Sequence, residues 1–443
     1  MADRTPQSEI RNPKFKRLVA LLLDWFAQNA RDLPWRRTRD PYAIWVSEIM
    51  LQQTQVKTVI PYWERWMRQL PTIGAVAKAR SDKIHKLWEG LGYYTRARNL
   101  QKAARQIVDN CRRAEFHDAQ NKIRDSQSSP LRFPEKYEDV LALPGIGRYT
   151  AGAICSIAFN QPTPILDGNV IRVLTRIFGI AENPREKKTN ARLWRRAEEL
   201  IKVAQASSLP VQTRRLRYIN GNCSALNQSL MELGALVCTP RQPQCPVCPV
   251  KKLCVAFREG RVGELPNLGR RTTATARRFI AFVIERNGKF LVRQRPAGVV
   301  NAHLWEFPNF EVNGAKTAAH DVFQSEFGHR PPALQLFWTV KHSITRYRIT
   351  LEAWHVKFGG ASSARPHNKM GRRGTPPSET GVWKTPAQMN RFAFAAAHKT
   401  ILNKLQSSGD DVGSTRLRRV VSGVAPETIG KQRLQPFAQS PTT

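Results

Sequence analysis

The chain has 443 residues, 41% of them hydrophobic, and its 71 Lys and Arg against 34 Asp and Glu give a formal net charge of +37 at pH 7. So large a basic excess favours a polyanionic partner, nucleic acid first, over attachment to ribosomes or to a membrane surface and over a merely solvated basic surface. No apolar run approaches the roughly 20 residues that span a bilayer, and the N-terminus lacks the apolar core of a signal peptide, so we expect a protein that is neither membrane-spanning nor secreted.

The hydrophobic periodicity divides the chain into regions of different secondary structure. From about residue 14, amphipathic stretches are broken by Pro and Gly, which predicts an all-α region over residues 1–258. We expect a linker at residues 259–277 and an α+β domain at residues 278–404. Residues 405–443 are polar, basic and aperiodic, which predicts a disordered tail.

The first helix that carries a candidate catalytic residue is predicted to begin at Asp40 and Pro41, a capping residue followed by proline. Its sequence is apolar nearly all round, and Glu48 lies within it. Burial among apolar side chains disfavours the charged carboxylate and raises its pKa, as a general acid working near neutral pH requires. The alternative is a glutamate at an exposed edge or in a structural ion pair.

Residues 143–147, of sequence LPGIG, are predicted to join a helix that ends near Ala142 to one that begins near Arg148. Gly145 and Gly147 would let backbone N–H groups approach a phosphate closely at the start of the second helix. Turns of this composition are frequent between helices, so the motif by itself does not distinguish a phosphate site from an ordinary turn.

A second carboxyl group lies at the predicted start of a later helix. Asp167 precedes Gly168, Asn169 and an apolar run, so the helix dipole and the free N–H groups are expected to favour its ionised form. With the pKa of Glu48 raised and that of Asp167 lowered, the two carboxyls could divide the work at a glycosidic bond, one as acid and the other as nucleophile or cation stabiliser. The alternative for Asp167 is an ordinary helix cap.

Four of the seven cysteines stand in the pattern C-x6-C-x2-C-x5-C, namely Cys238, Cys245, Cys248 and Cys254. Four thiolates at such short spacing can enclose either zinc or an iron–sulfur cluster, and the spacing leaves both open. The clustering indicates metal ligation rather than a disulfide framework. The other three cysteines are expected to be core residues or free thiols.

The α+β region opens with a predicted hairpin, in which Asn287 and Gly288 separate two apolar runs. Residues 347–351 alternate as a half-buried strand does. Residues 359–380 are rich in Gly, Ser, Pro and Arg and are expected to form a mobile loop.

Several segments occur in an order that identifies a family. They are residues 45–56 (WVSEIMLQQTQV), 90–94 (GLGYY), 143–152 (LPGIGRYTAG), 165–170 (ILDGNV) and the cysteine quartet. This order closely resembles the MutY-type adenine DNA glycosylases of the endonuclease III, or helix-hairpin-helix, superfamily, and residues 304–308 (LWEFP) are similar to the family's Nudix-related domain. The resemblance implies an all-α catalytic region with a helix-hairpin-helix and an iron–sulfur loop, followed by an α+β Nudix-like C-terminal domain.

The resemblance implies a base excision repair enzyme that hydrolyses the N-glycosidic bond of adenine mispaired with 8-oxoguanine or guanine, after flipping the nucleotide out of the duplex. Glu48 matches the family's catalytic acid, which protonates the adenine ring. Asp167 matches the carboxylate that stabilises the oxocarbenium-like sugar or captures it transiently, and Tyr149 and Asn169 match positions that support this pair. Bifunctional relatives carry a lysine at the position of Tyr149, whose amine forms a Schiff base, so we predict a monofunctional glycosylase.

Further positions match the DNA contacts of the family. Leu51, Gln53 and Tyr93 match residues that enter the duplex and hold the gap open, and Arg31 and Gln228 match positions near the adenine pocket. Without the resemblance, packing or solvation would be the simpler explanation for each of the five.

In the C-terminal domain, residues 342–346 read HSITR where many relatives present a Phe-Ser-His turn that inspects the oxidised guanine. Thr345 keeps a hydroxyl and Arg346 a donor, so we expect recognition with altered contacts. Residues 311–328 hold too few glutamates for the magnesium site of a nucleoside triphosphate hydrolase. The domain is therefore predicted to read DNA and not to hydrolyse nucleotides.

The resemblance also selects a [4Fe–4S] cluster for the four cysteines, and it implies double-stranded DNA with A:8-oxoguanine or A:G mismatches as the partner. We expect a monomer in the cytoplasm, associated with the nucleoid if the source is bacterial. Two alternatives stay open. One is a thymine- or other mismatch-specific glycosylase on the same scaffold, and the other is a catalytically silent DNA-binding protein.

Overall fold

The structure, a computed structural model, describes residues 12–120, 131–207, 221–269, 273–312, 317–344, 346–358 and 381–410, without the side chains of residues 114–120 and 408–410. The predicted loop at residues 359–380, Thr345 and the part of the predicted tail beyond residue 410 lie outside these ranges.

The N-terminal region is helical, as the sequence predicts, with short 3-10 turns at Pro34–Arg36, Cys245–Val247 and Lys251–Leu253. Its described helices are α1 Pro13–Asn29, α2 Pro41–Leu51, α3 Val56–Gln69, α4 Ile73–Lys78, α5 Ser81–Trp88, α6 Thr95–Gln120, α7 Tyr137–Leu141, α8 Arg148–Phe159, α9 Gly168–Phe178, α10 Lys187–Gln205, α11 Asn222–Leu236 and α12 Val255–Arg258.

The two helices that carry the candidate carboxyls begin where local sequence rules place them. Asp40 caps α2 by accepting a hydrogen bond from the backbone N–H of Tyr42, and Pro41 occupies the first helical position. Asp167 caps α9 by accepting from the N–H of Val170 at 2.7 Å. Both predicted helix starts are confirmed.

Two apolar cores lie within the helical region. One is built around α2 and contains Trp45, Trp66 and Trp88, and the other packs α1 against α9, α10 and α11 around Phe26 and Leu174. Helix α8 contributes side chains to both cores and so lies where they meet, whereas the segment that leads into α9 packs in the second core. In the ranges that the structure describes, no helix is long and apolar enough to cross a membrane.

The C-terminal domain is α+β, as predicted, and is built on a mixed sheet of order β3-β2-β1-β6-β5, in which β4 also pairs with β1 and β7 with β2. Strands β1 and β6 are parallel along their whole length. Its elements are β1 Thr275–Arg286, β2 Lys289–Gln294, β3 Trp305–Glu306, β4 Asn309–Val312, α13 Ala319–Phe327, β5 Gln335–Ile344, β6 Tyr347–Phe358, β7 Val382–Lys384, α14 Pro386–Met389 and α15 Ala396–Asp410.

Strand β1 is buried on both faces, because α13 covers one and α15 the other. Ile280 and Phe282 pack with Phe323 of α13, whereas Ala281 and Val283 pack in the cluster that includes Ile401 of α15. Successive residues of a strand point to opposite faces, so a continuous apolar run is what such a central strand requires.

The predicted hairpin is present, and two boundaries differ from expectation. Asn287 and Gly288 have φ of 50° and 69°, as a tight hairpin turn between β1 and β2 requires. Strand β1 begins at Thr275, so the last residues of the predicted linker belong to the sheet. Helix α15 continues to Asp410 although the tail was predicted from residue 405, because Leu405 packs against the sheet and extends the apolar face.

Candidate active site

Glu48 is buried on α2, 5% exposed, and its carboxyl faces α8. The phenol of Tyr149, on α8, donates a hydrogen bond to Glu48 Oε2 at 2.8 Å. Burial raises the pKa of Glu48 to about 7, repulsion from Asp167 adds to the rise, and the Tyr149 hydrogen bond and the charge of Arg36 partly oppose it. The raised pKa predicted from the apolar sequence around Glu48 is confirmed.

Asp167 accepts from the N–H of Val170 through Oδ1, and from the side-chain amide of Asn169 through Oδ2 at 2.9 Å. Desolvation nevertheless raises the pKa of Asp167 above its ordinary value, because the hydrogen bonds from Val170 and Asn169 and the charge of Arg172 do not outweigh it. The lowered pKa predicted from the helix start is therefore wrong. A helix cap favours the carboxylate only as far as the site stays hydrated, and this cap lies among packed elements.

The segment that leads into Asp167 lies very close to α8. A Cβ at Gly152 would lie 2.3 Å from the carbonyl oxygen of Pro164, so only glycine allows this approach. The contact brings the start of α9 beside Tyr149. Desolvation, followed by the charges of Glu48 and Asp167, raises the pKa of Tyr149, so the phenol stays protonated and acts as a donor.

Sequence reasoning missed Glu232, a buried residue of α11. Its carboxylate accepts from Arg31 at 2.8 and 2.7 Å and from Arg36 at 3.0 Å through both oxygens. Burial opposes ionisation, but the two guanidinium groups hold the pKa of Glu232 down to about 2. Glu232 stands in an apolar helix, which is the same sequence signal that identified Glu48. Arg31, predicted near the adenine pocket, is fixed by this ion pair.

Helix α11 also contacts the candidate acid through Tyr149. Met231 Sδ lies 3.3 Å from the phenolic oxygen of Tyr149. Gln228, one turn earlier on the helix, is buried and donates to Ser224 Oγ at 3.1 Å. Residues three apart share a helix face, so Gln228 and Met231 are on the side of α11 that approaches Tyr149.

Arg172 of α9 connects Asp167, through Asn169, to the cysteine segment. One of its nitrogens donates to Asn169 Oδ1 at 2.8 Å, and its Nε donates to the carbonyl oxygen of Cys238 at 2.7 Å. Arg176, one turn later, donates to Cys238 Sγ at 3.3 Å. Neither arginine was singled out from the sequence, because Cys238, the partner that both share, lies more than sixty residues away in the chain.

Cys238, Cys245, Cys248 and Cys254 line one cavity between α9, α11 and α12. Burial, aided by the charges of the other three cysteines and opposed by the backbone N–H of Val250, raises the pKa of the Cys248 thiol to about 11. The described part of the chain holds no three Cys, His, Asp or Glu side chains that converge on a single metal ion as they stand. Four sulfur donors around one cavity, one of them facing the Arg176 guanidinium, fit a group that takes thiolate ligands.

A cleft lies between the end of α2, the loop before α6 and the hairpin before α8, and it is lined by Gln53, Tyr93 and Gly145. Tyr93 is 46% exposed. Leu51, at the end of α2, packs at the edge of the first core. Gly147 precedes α8, and within the described residues no side chain caps that helix start. The structure thus brings three predicted DNA contacts, Gln53, Tyr93 and Gly145, into one cleft.

Arg346 lies at the exposed turn between β5 and β6, where its guanidinium donates to the phenolic oxygen of Tyr347 at 3.0 Å. Its neighbour Thr345 is outside the described residues, so the predicted recognition turn is described only in part.

The chain matches two family models, one described as "HhH-GPD superfamily base excision DNA repair protein" at residues 46–199 and one as "NUDIX domain" at residues 280–404. It is 33% identical to an adenine DNA glycosylase of Rattus norvegicus over 399 residues, covering 77% of this chain and 71% of that protein. It is 31% identical to an adenine DNA glycosylase of Mus musculus, covering 94% and 84% of the two chains. Among solved structures, a thermostable thymine-DNA glycosylase aligns with a TM-score of 0.44 and 28% identity, over 56% of this chain and 98% of that chain.

Proposed function

The chain belongs to the adenine DNA glycosylases of the helix-hairpin-helix superfamily, and from this premise we propose that it removes adenine paired with 8-oxoguanine or guanine in duplex DNA. The observation that carries the proposal is the state of Glu48. Its carboxyl is buried, has a pKa of about 7 and accepts a hydrogen bond from Tyr149, and the charge of Asp167 helps to raise that pKa. An acid of this pKa can deliver a proton near neutral pH.

The proposed reaction starts with the adenine nucleotide flipped out of the duplex. Glu48 protonates a ring nitrogen of adenine, the bond from the sugar C1′ to the base breaks, and its electron pair leaves with the now neutral base. The carboxylate of Asp167 stabilises the positive charge that develops on the sugar. Water then adds to C1′ and gives up a proton, for which the ionised Glu48 is the acceptor. Tyr149 and Asn169 orient the two carboxyls.

We propose that the enzyme is monofunctional. Cutting the strand through a Schiff base requires an amine beside the sugar, and the position next to Glu48 is occupied by the phenol of Tyr149. Borohydride should therefore trap little protein–DNA adduct while adenine is released at full rate. Trapping as fast as base release would contradict this part of the proposal.

DNA contacts are proposed on the face that carries the cleft. Gln53, Tyr93 and Leu51 would hold the gap left by the flipped nucleotide, and the backbone at Gly145 and Gly147 would bind a phosphate at the start of α8. Arg31 and Gln228 are proposed to border the adenine pocket. In the C-terminal domain, Thr345 and Arg346 are proposed to contact the base opposite adenine.

Cys238, Cys245, Cys248 and Cys254 would hold a [4Fe–4S] cluster. Such a cluster would stabilise the fold of the cysteine segment. It would not need to supply electrons, because hydrolysis of an N-glycosidic bond involves no electron transfer. Purified protein should then carry iron and sulfide and absorb visible light. Colourless protein with stoichiometric zinc after anaerobic purification would contradict the assignment.

The function is tested by a gel assay on matched duplexes that carry A opposite 8-oxoguanine, A opposite G, T opposite G, or only normal pairs. We expect base release from the first two. Release of thymine would favour a mismatch-specific relative of different base choice, and binding without release from any duplex would indicate a DNA-binding protein without glycosylase activity.

A further inference from the structure

Arg96, in the first turn of α6, places a half-buried cation at the end of the helix that carries Glu48. Its Nη1 donates to the carbonyl oxygens of Ile49, Met50 and Gln52 at 2.9, 3.1 and 2.6 Å. These carbonyls belong to the last turn and cap of α2, where intrahelical partners run out and the helix dipole is negative. Arg96 therefore ends α2 by both charge and hydrogen bonding.

The other end of the same guanidinium holds a second loop. Arg96 Nη2 donates to the carbonyl oxygens of Leu91 and Gly92 at 3.0 and 3.1 Å. The guanidinium carbon also lies 5.3 Å from the ring centre of Trp88 and 5.7 Å from that of Tyr93. One side chain thus joins the segment after α2 to the segment before α6, although the two are about forty residues apart in the chain.

Both joined segments are strained where they face the cleft. Gln53 has a φ of 56° and Tyr93 a φ of 47°, in the left-handed region that side chains other than glycine rarely adopt. Such conformations persist only where the surroundings impose them. Gln53 and Tyr93 line the same cleft, and Arg96 lines it between them.

No carboxylate in the described ranges forms an ion pair with Arg96, so carbonyl dipoles and aromatic faces compensate its charge. Burial lowers the pKa of Arg96 to about 10, which leaves the side chain cationic at neutral pH. A planar fork of donors can reach two loops at once, whereas the ammonium of lysine is a point donor that cannot.

We propose that Arg96 is a positioning residue for base extrusion, which locks the Gln53 and Tyr93 segments in one relative geometry so that both enter the duplex together. The proposal rests on the proposed function, since it concerns how the target adenine leaves the helix. It assigns Arg96 no contact with the reacting atoms. Its loss should therefore affect the opening of the base pair far more than the cleavage of an adenine that is already unpaired.

The test compares Arg96→Lys with Arg105→Lys, a control on the same helix. Arg105 is exposed, and its one hydrogen bond within the described residues goes to the carbonyl of Ala77, at 3.1 Å. Single-turnover adenine release is measured on a duplex with A opposite 8-oxoguanine and on a duplex in which the adenine stands in a single-nucleotide bulge. Extrusion is followed separately by the fluorescence of 2-aminopurine at the target position. Melting of each variant is measured first, and Arg96→Lys is chosen because it retains the charge and most of the stem.

We expect Arg96→Lys to slow release and extrusion on the paired substrate by about 10²-fold, as a misplaced binding element does, with a much smaller loss on the bulge. The pH dependence of release should stay that of the wild type, and the control should match the wild type on both substrates. Equal losses on the two substrates, or a wild-type rate on the paired one, would overturn the inference. If the wild type releases adenine from neither substrate, it is the proposed function that fails.

Discussion

Glu48 as the acid leads to a definite pH dependence. The protonated carboxyl is the reactive form, and burial sets its pKa at about 7, so the single-turnover rate of adenine release should fall tenfold per pH unit above that value. Rates measured across neutral pH check this. Ionisation of 8-oxoguanine or of the duplex is excluded as a cause if the affinity for DNA is constant over the same range.

Tyr149→Phe supplies the internal test of that assignment. The Tyr149 phenol favours the charged form of Glu48 and so lowers its pKa. Without the hydroxyl the pKa of Glu48 should rise. The decline of the release rate at alkaline pH should then begin at a higher pH, while the fold is retained. A decline that begins at a lower pH would mean that a group other than Glu48 controls the rate.

Burial of the Glu48 carboxyl should lower the free energy of unfolding at neutral and alkaline pH. The pKa of Glu48 is about 7 in the folded chain against an ordinary 4.5, so the folded state is disfavoured increasingly as pH rises from 4.5 to 7, by on the order of 3 kcal/mol in full. Glu48→Gln should therefore raise the free energy of unfolding at about pH 8 and change it little at about pH 4. Denaturant unfolding at both pH values measures this, with the exposed Glu64→Gln as control. A gain at low pH only would reverse the sign and reject the account.

At the residue scale, sequence predicted the environment of Glu48 but not that of Asp167. The apolar neighbours of Glu48 are adjacent in the chain, so its burial is readable. Asp167 is desolvated by elements from elsewhere in the fold, and its helix-cap position suggested the opposite direction. Thr345 and the loop at residues 359–380 remain predictions.

At the scale of the elements, the two glycines of the segment that joins α7 to α8 are required for different reasons. Gly145 has a φ of 80°, and a Cβ there would lie 2.6 Å from the Cβ of Asn99, whereas a Cβ at Gly147 would meet nothing within 4 Å. Gly145→Ala should lower the free energy of unfolding by about 1–2 kcal/mol or more. Gly147→Ala should melt like the wild type but bind duplex DNA more weakly, because the added methyl stands where a phosphate would approach the helix start.

Thermal melting and fluorescence anisotropy with a labelled duplex separate the two effects. Equal melting temperatures for the two variants would contradict the role given to Gly145. Unchanged DNA affinity in Gly147→Ala would contradict the phosphate site at α8.

Helix starts and the hairpin could be predicted because their signals are local. Asp40 with Pro41, Asp167, and Asn287 with Gly288 act on backbone atoms a few residues away. The parallel pairing of β1 with β6 could not, because its partners are far apart in the chain. The strained φ of Gln53 escaped prediction for the same reason, since Arg96 imposes the surrounding geometry from another helix.

At the scale of the whole molecule, the C-terminal domain is docked on the helical region through α5. Glu89 Oε1 accepts from the N–H of Phe394 at 2.9 Å, and Lys86, its ion-pair partner, donates to the carbonyl of Phe392 at 3.0 Å. Leu304, Ala393 and Ala395 of the C-terminal domain pack in the first helical core. The two domains should therefore be held in a fixed relative orientation before DNA binds.

Glu89→Ala should weaken the contact between the two domains and reduce the preference for A opposite 8-oxoguanine over A opposite G by about fivefold or more. The chemistry at Glu48 should be unaffected, so the rate on A opposite G should stay near that of the wild type. Asp82→Ala is the control, because Asp82 is an exposed acid in the first turn of α5, the helix that Glu89 follows directly. An unchanged preference in Glu89→Ala would mean that DNA alone sets the arrangement of the domains.

The central claim is that Glu48 and Asp167 act together on one extruded adenosine. It is tested most directly by single-turnover release of adenine from a duplex with A opposite 8-oxoguanine, measured for the wild type, Glu48→Gln and Asp167→Asn beside the dissociation constant of each for the same duplex. We predict that each variant loses about 10²–10⁴-fold or more in rate and keeps its affinity, because each change removes an ionisable group but little volume. Near-wild-type release by either variant, with DNA binding intact, would contradict the claim.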